Sequence, residues 1–531
     1  MKTYQRHLQS TLAVGETVDR TRKPVFRSSA IFPVLQDGAL TTRILFMGYW
    51  LLKRHITEVQ LLVTLRGADG SILLRSSLLV DRPKAYALHL GELLARAALP
   101  TDAAFTGSVE LEIYSTRDLV FPYPAFVLNY LSDDCVTTVH TAGRVYNDID
   151  DLIENDEYQV PESGFDVLSD PDARPFVAYV NGPYAAERQR FGWTLVDAEQ
   201  TEHTGTIEIR DVRPYQPVVL RLDEQLDLKG LLKGGKGCLK LRHSLRGIFP
   251  RLLCGNFRLS RPAVSITHSY YDSSSVADAS AYWARTSDAM HDSSIFVPVF
   301  TAHNAYTDLV FYPIYSPSGF RIDLTFHASD GAVLGRLPDW MHVTEQAHPF
   351  KTVRLNDLIA AAVPAASRAG VTGMQMVKNW ERRDRIPTRL KFGLNVGQSG
   401  QALDLPTNIC FNSELGNANV VGKKGTFKWC PVLNHTRSIV AITNPSGLRE
   451  YDRSAVVRMG FYREDDDASV ERTVTLPPFG QHRVELPEDR ELTEFLGGRP
   501  GWVTITSDNP FVRAWYFDFS DVGVVGGDHS F

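Results

Sequence analysis

The chain has 531 residues, of which 43% are apolar, 22% charged and 10% aromatic, and its formal net charge is −6. That length exceeds what one core supports and predicts about three to five domains, while the composition excludes a disordered or fibrous chain. The modest net charge points to neither nucleic acid nor a membrane surface.

Residues 1–25 are polar and basic, lack the apolar stretch of a secretory signal, and predict a loose arm. No apolar run approaches the roughly 20 residues that span a bilayer. The five cysteines (Cys135, Cys238, Cys254, Cys410, Cys430) are scattered and form no CxxC pair. Neither a disulfide framework nor a zinc knuckle follows, and the expected setting is cytoplasmic, with unconventional export left open. No cofactor is expected.

Short strand-like runs fill 26–146: Ser29–Phe32, Arg43–Met47, Val59–Leu65 and the cleanly alternating Val109–Tyr114. Asp69-Gly70 between apolar runs marks a hairpin turn. Residues 147–172 hold ten acids and no Lys or Arg, and are read as an acidic linker. The stretch Pro217–Leu241 then combines a strand, an acidic-Leu helical turn (Asp223–Leu226), a glycine break (Gly234-Gly-Lys-Gly237) and another strand. The same grammar returns at Val484–Ile505, so that Leu486 follows Leu222 by close to half the chain length. Looser copies lie at Ala87–Leu93 and Val353–Leu358, and Asp330-Gly331 follows Asp69-Gly70 by nearly the same interval.

These offsets predict an all-β fold of four tandem β-sandwich domains, immunoglobulin-like or jelly-roll-like, arranged as a duplicated pair. The boundaries read 26–146 (A), 173–272 (B), 293–412 (A′) and 427–531 (B′), with linkers at 147–172, 273–292 and 413–426. A small helical insertion is expected in the third, where Asp357–Ala362 is helix-prone and Met374–Trp380 resumes it.

Chemistry is harder to find. His268, Tyr270, Tyr271, Asp272 and His303 form a candidate ligand or metal loop if the sandwich ends converge, with His140 and His435 beside similar strands. Metal-site spacings such as HxH or HExxH are absent, so hydrogen-bonded loop residues are the commoner explanation and no metal is assigned. Lys233–Gly237 lacks the GxxxxGK[ST] order of a phosphate loop and reads as a turn. From Leu228 to Tyr271 there is no Asp or Glu, and Lys236, Lys240, Arg242, Arg246 and Arg251 form a candidate surface for an anionic partner. Thin aromatic interleaving makes nucleic acid the weaker partner. No GxSxG elbow, SxxK or Cys–His arrangement anchors nucleophilic catalysis, which favours a protein that is not an enzyme. The expected function is a non-enzymatic scaffold or binding protein, self-associating or binding a protein through domain edges. The alternatives are a carbohydrate-binding or carbohydrate-acting protein with a junctional site, and a binder of an anionic polymer such as an acidic glycan through 229–261.

Overall fold

The computed structural model describes residues 25–119, 125–140, 143–146, 162–249, 251–271, 282–283, 287–312, 318–344, 350–387, 391–415 and 420–531. The named strands pair antiparallel throughout, the helices are short, and among the described residues none is long and apolar enough to cross a membrane.

One strand order recurs four times. In each repeat eight strands share one order, one sheet running first–sixth–third–fourth and the other fifth–second–seventh–eighth, with a further two-residue strand (Tyr270–Tyr271, Glu414–Leu415) beside the first in the second and third repeats. The first strands begin at Phe26, Glu162, Ser293 and Thr426, in nearly even steps of a quarter of the chain. The half-chain offset seen in the sequence is therefore two such steps.

Edge and centre strands differ as their surroundings demand. The fourth strands Ile72–Val80 and Ser469–Leu476 lie at sheet edges and alternate exposed and half-buried residues. The sixth strands are central and buried on both faces, as in Val109, Leu111 and Ile113 with Ser108, Glu110 and Glu112 also buried. Met374–Trp380, expected above as helix, is the central sixth strand of the third repeat, Gly373–Trp380. Burial on both faces erases the period-two signal that would have marked it. The helical turn between fifth and sixth strands likewise belongs to every repeat: Leu90–Arg96, Leu228–Leu232, Leu355–Ala362 and Arg490–Leu496. The third is merely the longest.

The glycine break is a corner after this turn. Lys233 and Gly234 take φ of +50° and +85°, and their counterparts Gly497 and Gly498 take +57° and +76°. A Cβ on Gly237 would meet Leu232 Cδ2 at 2.6 Å, and on Gly501 would meet Leu496 Cδ2 at 2.5 Å. Close helix–strand packing therefore requires both glycines. The supposed linker before it is also partly structured. Residues Glu162–Leu168 form the first strand of the second repeat, paired with Lys236–Arg242, and Arg258 bonds Asp170 at 2.7 Å. Residues 147–161, with most of the acids, lie outside the described residues.

The repeats join by one contact used four times. The turn between third and fourth strands of one repeat meets the chain entering the fifth strand of the next. Gly70 (φ +83°) approaches Pro214 so closely that a Cβ would lie 2.1 Å from its carbonyl, and Gly331 (φ +83°) would lie 2.0 Å from that of Pro478. Arg66 stacks on Tyr215 at 4.0 Å where His327 stacks on Phe479 at 4.9 Å. Gln200 exchanges hydrogen bonds with the backbone of Phe350 (2.7 and 2.8 Å). Arg463 accepts from Ala85 N–H (3.0 Å) and Glu464 from Lys84 Nζ (2.6 Å), both at backbone carbonyls. First meets second, second meets third, third meets fourth, and fourth returns to first. The cycle closes.

Candidate functional site

Closing the cycle turns the eighth strands inward. Val136–His140, Val264–His268, Ile409–Asn412 and Val525–His529 touch in the same cyclic order. Register against the seventh strands places Val127, Leu253, Lys391 and Trp515 opposite His140, His268, Asn412 and His529. The last residues of all four eighth strands therefore occupy one equivalent position, and all four line one cavity of about 360 Å³.

Three of the four are histidines packed together. The His140 ring lies 4.8 Å from that of His268 and 4.5 Å from that of His529. His140 Nδ1 shares a 2.5 Å hydrogen bond with Asp528 Oδ2. His268 Nδ1 donates to the Ser269 carbonyl (2.8 Å) and His529 Nδ1 to that of Ser530 (3.0 Å), since a carbonyl can only accept. Burial lowers both rings, His529 to about 4 and His268 well below the usual imidazole value with help from Arg251. Burial alone would raise the Asp528 carboxyl, but the surrounding imidazoles, His140 first, hold it well below the carboxylate range.

The walls are cationic. Arg251, Lys391 and Arg513 precede or open the seventh strands of the second, third and fourth repeats, and Lys428 comes from the first strand of the fourth. Burial brings Lys428 down to about 8, still protonated at neutral pH. Against them stands Glu414, bonded to Arg513, with Asp528 bonded to His140 of the wall. Cys410 lines the same space, but burial pushes its thiol up to about 12, away from nucleophilic use. Trp515 also lines it, and its buried indole N–H has no acceptor among the described residues. Four cations from three repeats converge on one space that can take negative charge.

The candidates from sequence scatter around this site. Arg251 lines it, with Nη1 at 3.5 Å from His268 Nε2, and His268 is buried in its wall. Lys236, Lys240 and Arg242 share one face of their strand with Cys238, and Cys238 packs against Val310, Tyr312 and Cys410 of the third repeat. That face is partly an internal joint, and Lys236 acts on Asp166 and Asp308 there. Arg246 is exposed elsewhere. His303 is exposed in the turn before Ala305, which pairs with Gln398, whereas the cavity lies at the Lys391 end of that strand. His303 therefore sits at the end of its own sheet, about 20 Å along the strand from the cavity that His268 lines, and the two do not converge. His435 lies beside Asp518, away from the cavity lining. The backbone of Tyr270 and Tyr271 pairs with Gly164 and Ser163; Asp272 lies outside the described residues.

Sequence reasoning passed over His529, Asp528, Lys391, Lys428 and Arg513. A signal existed: Val-x-x-x-His recurs at 136–140, 264–268 and 525–529. The third repeat hides the pattern by ending in Asn412. No protein-family model matches the chain, and no curated protein matches it either.

Proposed function

We propose that the chain is a non-enzymatic binding protein of four tandem β-sandwich domains, a duplicated pair of immunoglobulin-like type, whose ligand is a small anion held at their common junction. The observation that carries this reading is the convergence of Arg251, Lys391, Lys428 and Arg513, from three repeats, on one cavity. Hydrogen bonds from charged donors to an enclosed anion are the strong kind, about 1.5–3 kcal/mol each. The paired contacts of Gly70 and Gly331 support the duplicated arrangement.

A binding role fits better than nucleophilic catalysis, because the Cys410 thiol in the cavity is held protonated. A sugar platform is weaker here: Trp515 is 5% exposed and meets Phe411 edge-on, so neither ring offers a flat open face. The head-to-tail contact that could string copies into filaments is consumed within one chain.

Calorimetric titration of metal-free protein with inorganic phosphate and with succinate tests the reading. Saturable binding of at least one anion is expected, weakened about tenfold or more by Lys428→Gln and by Lys391→Gln. Binding that neither substitution weakens would move the site elsewhere, and no binding of either anion would overturn the ligand class.

A further inference from the structure

The anion reading leaves Asp528 unexplained. This carboxylate is 5% exposed and lies against His140 and His529 of the cavity wall. Its Oδ2 meets His140 Nδ1 at 2.5 Å, and its Oδ1 accepts the backbone N–H of His529 at 2.7 Å. Among the described residues no lysine or arginine forms an ion pair with it; its charged-group neighbours are imidazoles. A buried carboxylate requires a positive charge in contact with it.

His529 is arranged to help supply one. Its Nδ1–H is committed to the Ser530 carbonyl, which leaves the Nε2 lone pair free, and Nε2 lies 3.9 Å from Asp528 Oδ1. A second ring nitrogen bonded to a backbone carbonyl is the usual outer support of a metal-ligating histidine. One ligand atom from each of His140, Asp528 and His529 lies within 4.8 Å of the other two. The geometry points to a site for a divalent transition-metal ion of the zinc class, held by two imidazoles and one carboxylate.

The donor set selects the ion class. Imidazole with carboxylate suits zinc, cobalt or nickel, whereas calcium and magnesium want oxygen alone. The ion enters between His140 Nδ1 and Asp528 Oδ2, displaces the proton they share to solvent, and spreads those atoms to about 3 Å, the spacing of neighbouring tetrahedral ligands. His268 is not a ligand: Nδ1 is bonded to Ser269, and Arg251 stands 3.5 Å from Nε2. Three protein ligands leave a fourth position toward the cavity, where the cationic walls favour an anion over a neutral ligand. The assignment does not depend on the anion reading, because it uses none of the lysines or arginines.

The test loads chelator-stripped full-length protein with Co²⁺, and separately Zn²⁺, followed by visible absorption and metal analysis. One ion per chain is expected, with the d–d bands of tetrahedral nitrogen–oxygen ligation and no sulfur-to-cobalt charge transfer despite the nearby Cys410. His529→Ala and Asp528→Asn should each weaken uptake about 100-fold or more, while His268→Gln leaves it unchanged. Lys428→Gln, which tests the anion, should also leave uptake unchanged. If Asp528→Asn fails to fold, His529→Ala, checked by near-ultraviolet circular dichroism, carries the test. Absence of uptake, or uptake indifferent to His529→Ala, or uptake lost equally in His268→Gln, would overturn the site.

Discussion

The outer joints of the cycle and its centre use the same four repeats and vary in opposite ways. At the joints the side chains change while the geometry stays: Arg66 on Tyr215 becomes His327 on Phe479, yet Gly70 and Gly331 keep the same φ of +83° and the same approach to a proline carbonyl. At the centre the backbone positions are equivalent while the chemistry is not: His140, His268 and His529 face Asn412, and Asp528 has no acidic counterpart in Thr267, Val139 or Phe411. Joints made by backbone tolerate sequence drift. At the centre each repeat contributes different side chains.

The comparison breaks most readily at the joints. Gly331→Ala, and likewise Gly70→Ala, forces a Cβ against a carbonyl at positive φ and is expected to cost about 3 kcal/mol or more. Chemical denaturation should show the loss, and anion binding at the distant cavity should fall with it. Equal stability in both variants would mean that the joints are not what holds the cycle closed.

The next effect contrasts the partnered histidines of the centre with an unpartnered one outside it. His243 has no hydrogen-bond partner for either ring nitrogen among the described residues, and burial lowers it to about 4. Unfolded histidine titrates near 6.5, so below that pH the unfolded chain takes the proton first. The contribution is intact above pH 6.5 and is lost as pH falls toward 4, by up to about 3 kcal/mol. His243→Phe should remove that part of the acid sensitivity in pH-dependent melts, and an unaltered profile would refute the assignment.

The smallest effect lies in the corners. Lys233 holds φ +50° where its counterpart is Gly497, so Lys233→Gly should raise stability by about 1 kcal/mol or less. A loss of stability would show that the lysine side chain contributes something the corner geometry does not reveal.

Much of the architecture was legible because local chemistry dictates it. Asp69-Gly70 announced a turn, and the Leu–Gly spacing around Leu232 and Leu496 announced the same corner in both halves of the chain. Met374–Trp380 misled because a strand buried on both faces loses its alternation. The site was nearly illegible for a different reason. His140 and Asp528 stand 388 positions apart, and only closure of the cycle brings them to 2.5 Å. His303, in contrast, resembled a partner for His268 and lies at the other end of its sheet. Charge density along the chain marked Lys240 and Arg242, whereas Arg513 stands singly and Lys391 and Lys428 lie in shorter basic stretches (382–391 and 423–428) far away in sequence.

The return contact from fourth repeat to first also sets a clock. Tyr49 stacks on Trp429 at 4.3 Å, Lys53 lies 4.3 Å from the same indole, and Lys84 reaches the Glu464 carbonyl at 2.6 Å. A ribosome adding about 5–20 residues per second leaves the first repeat waiting roughly 20–80 s for these partners. Throughout synthesis that face stays open to chaperones, proteases and neighbouring nascent chains. The central cavity cannot exist before its last strand arrives, so anion binding there, if the proposal holds, would distinguish a closed cycle from an open one.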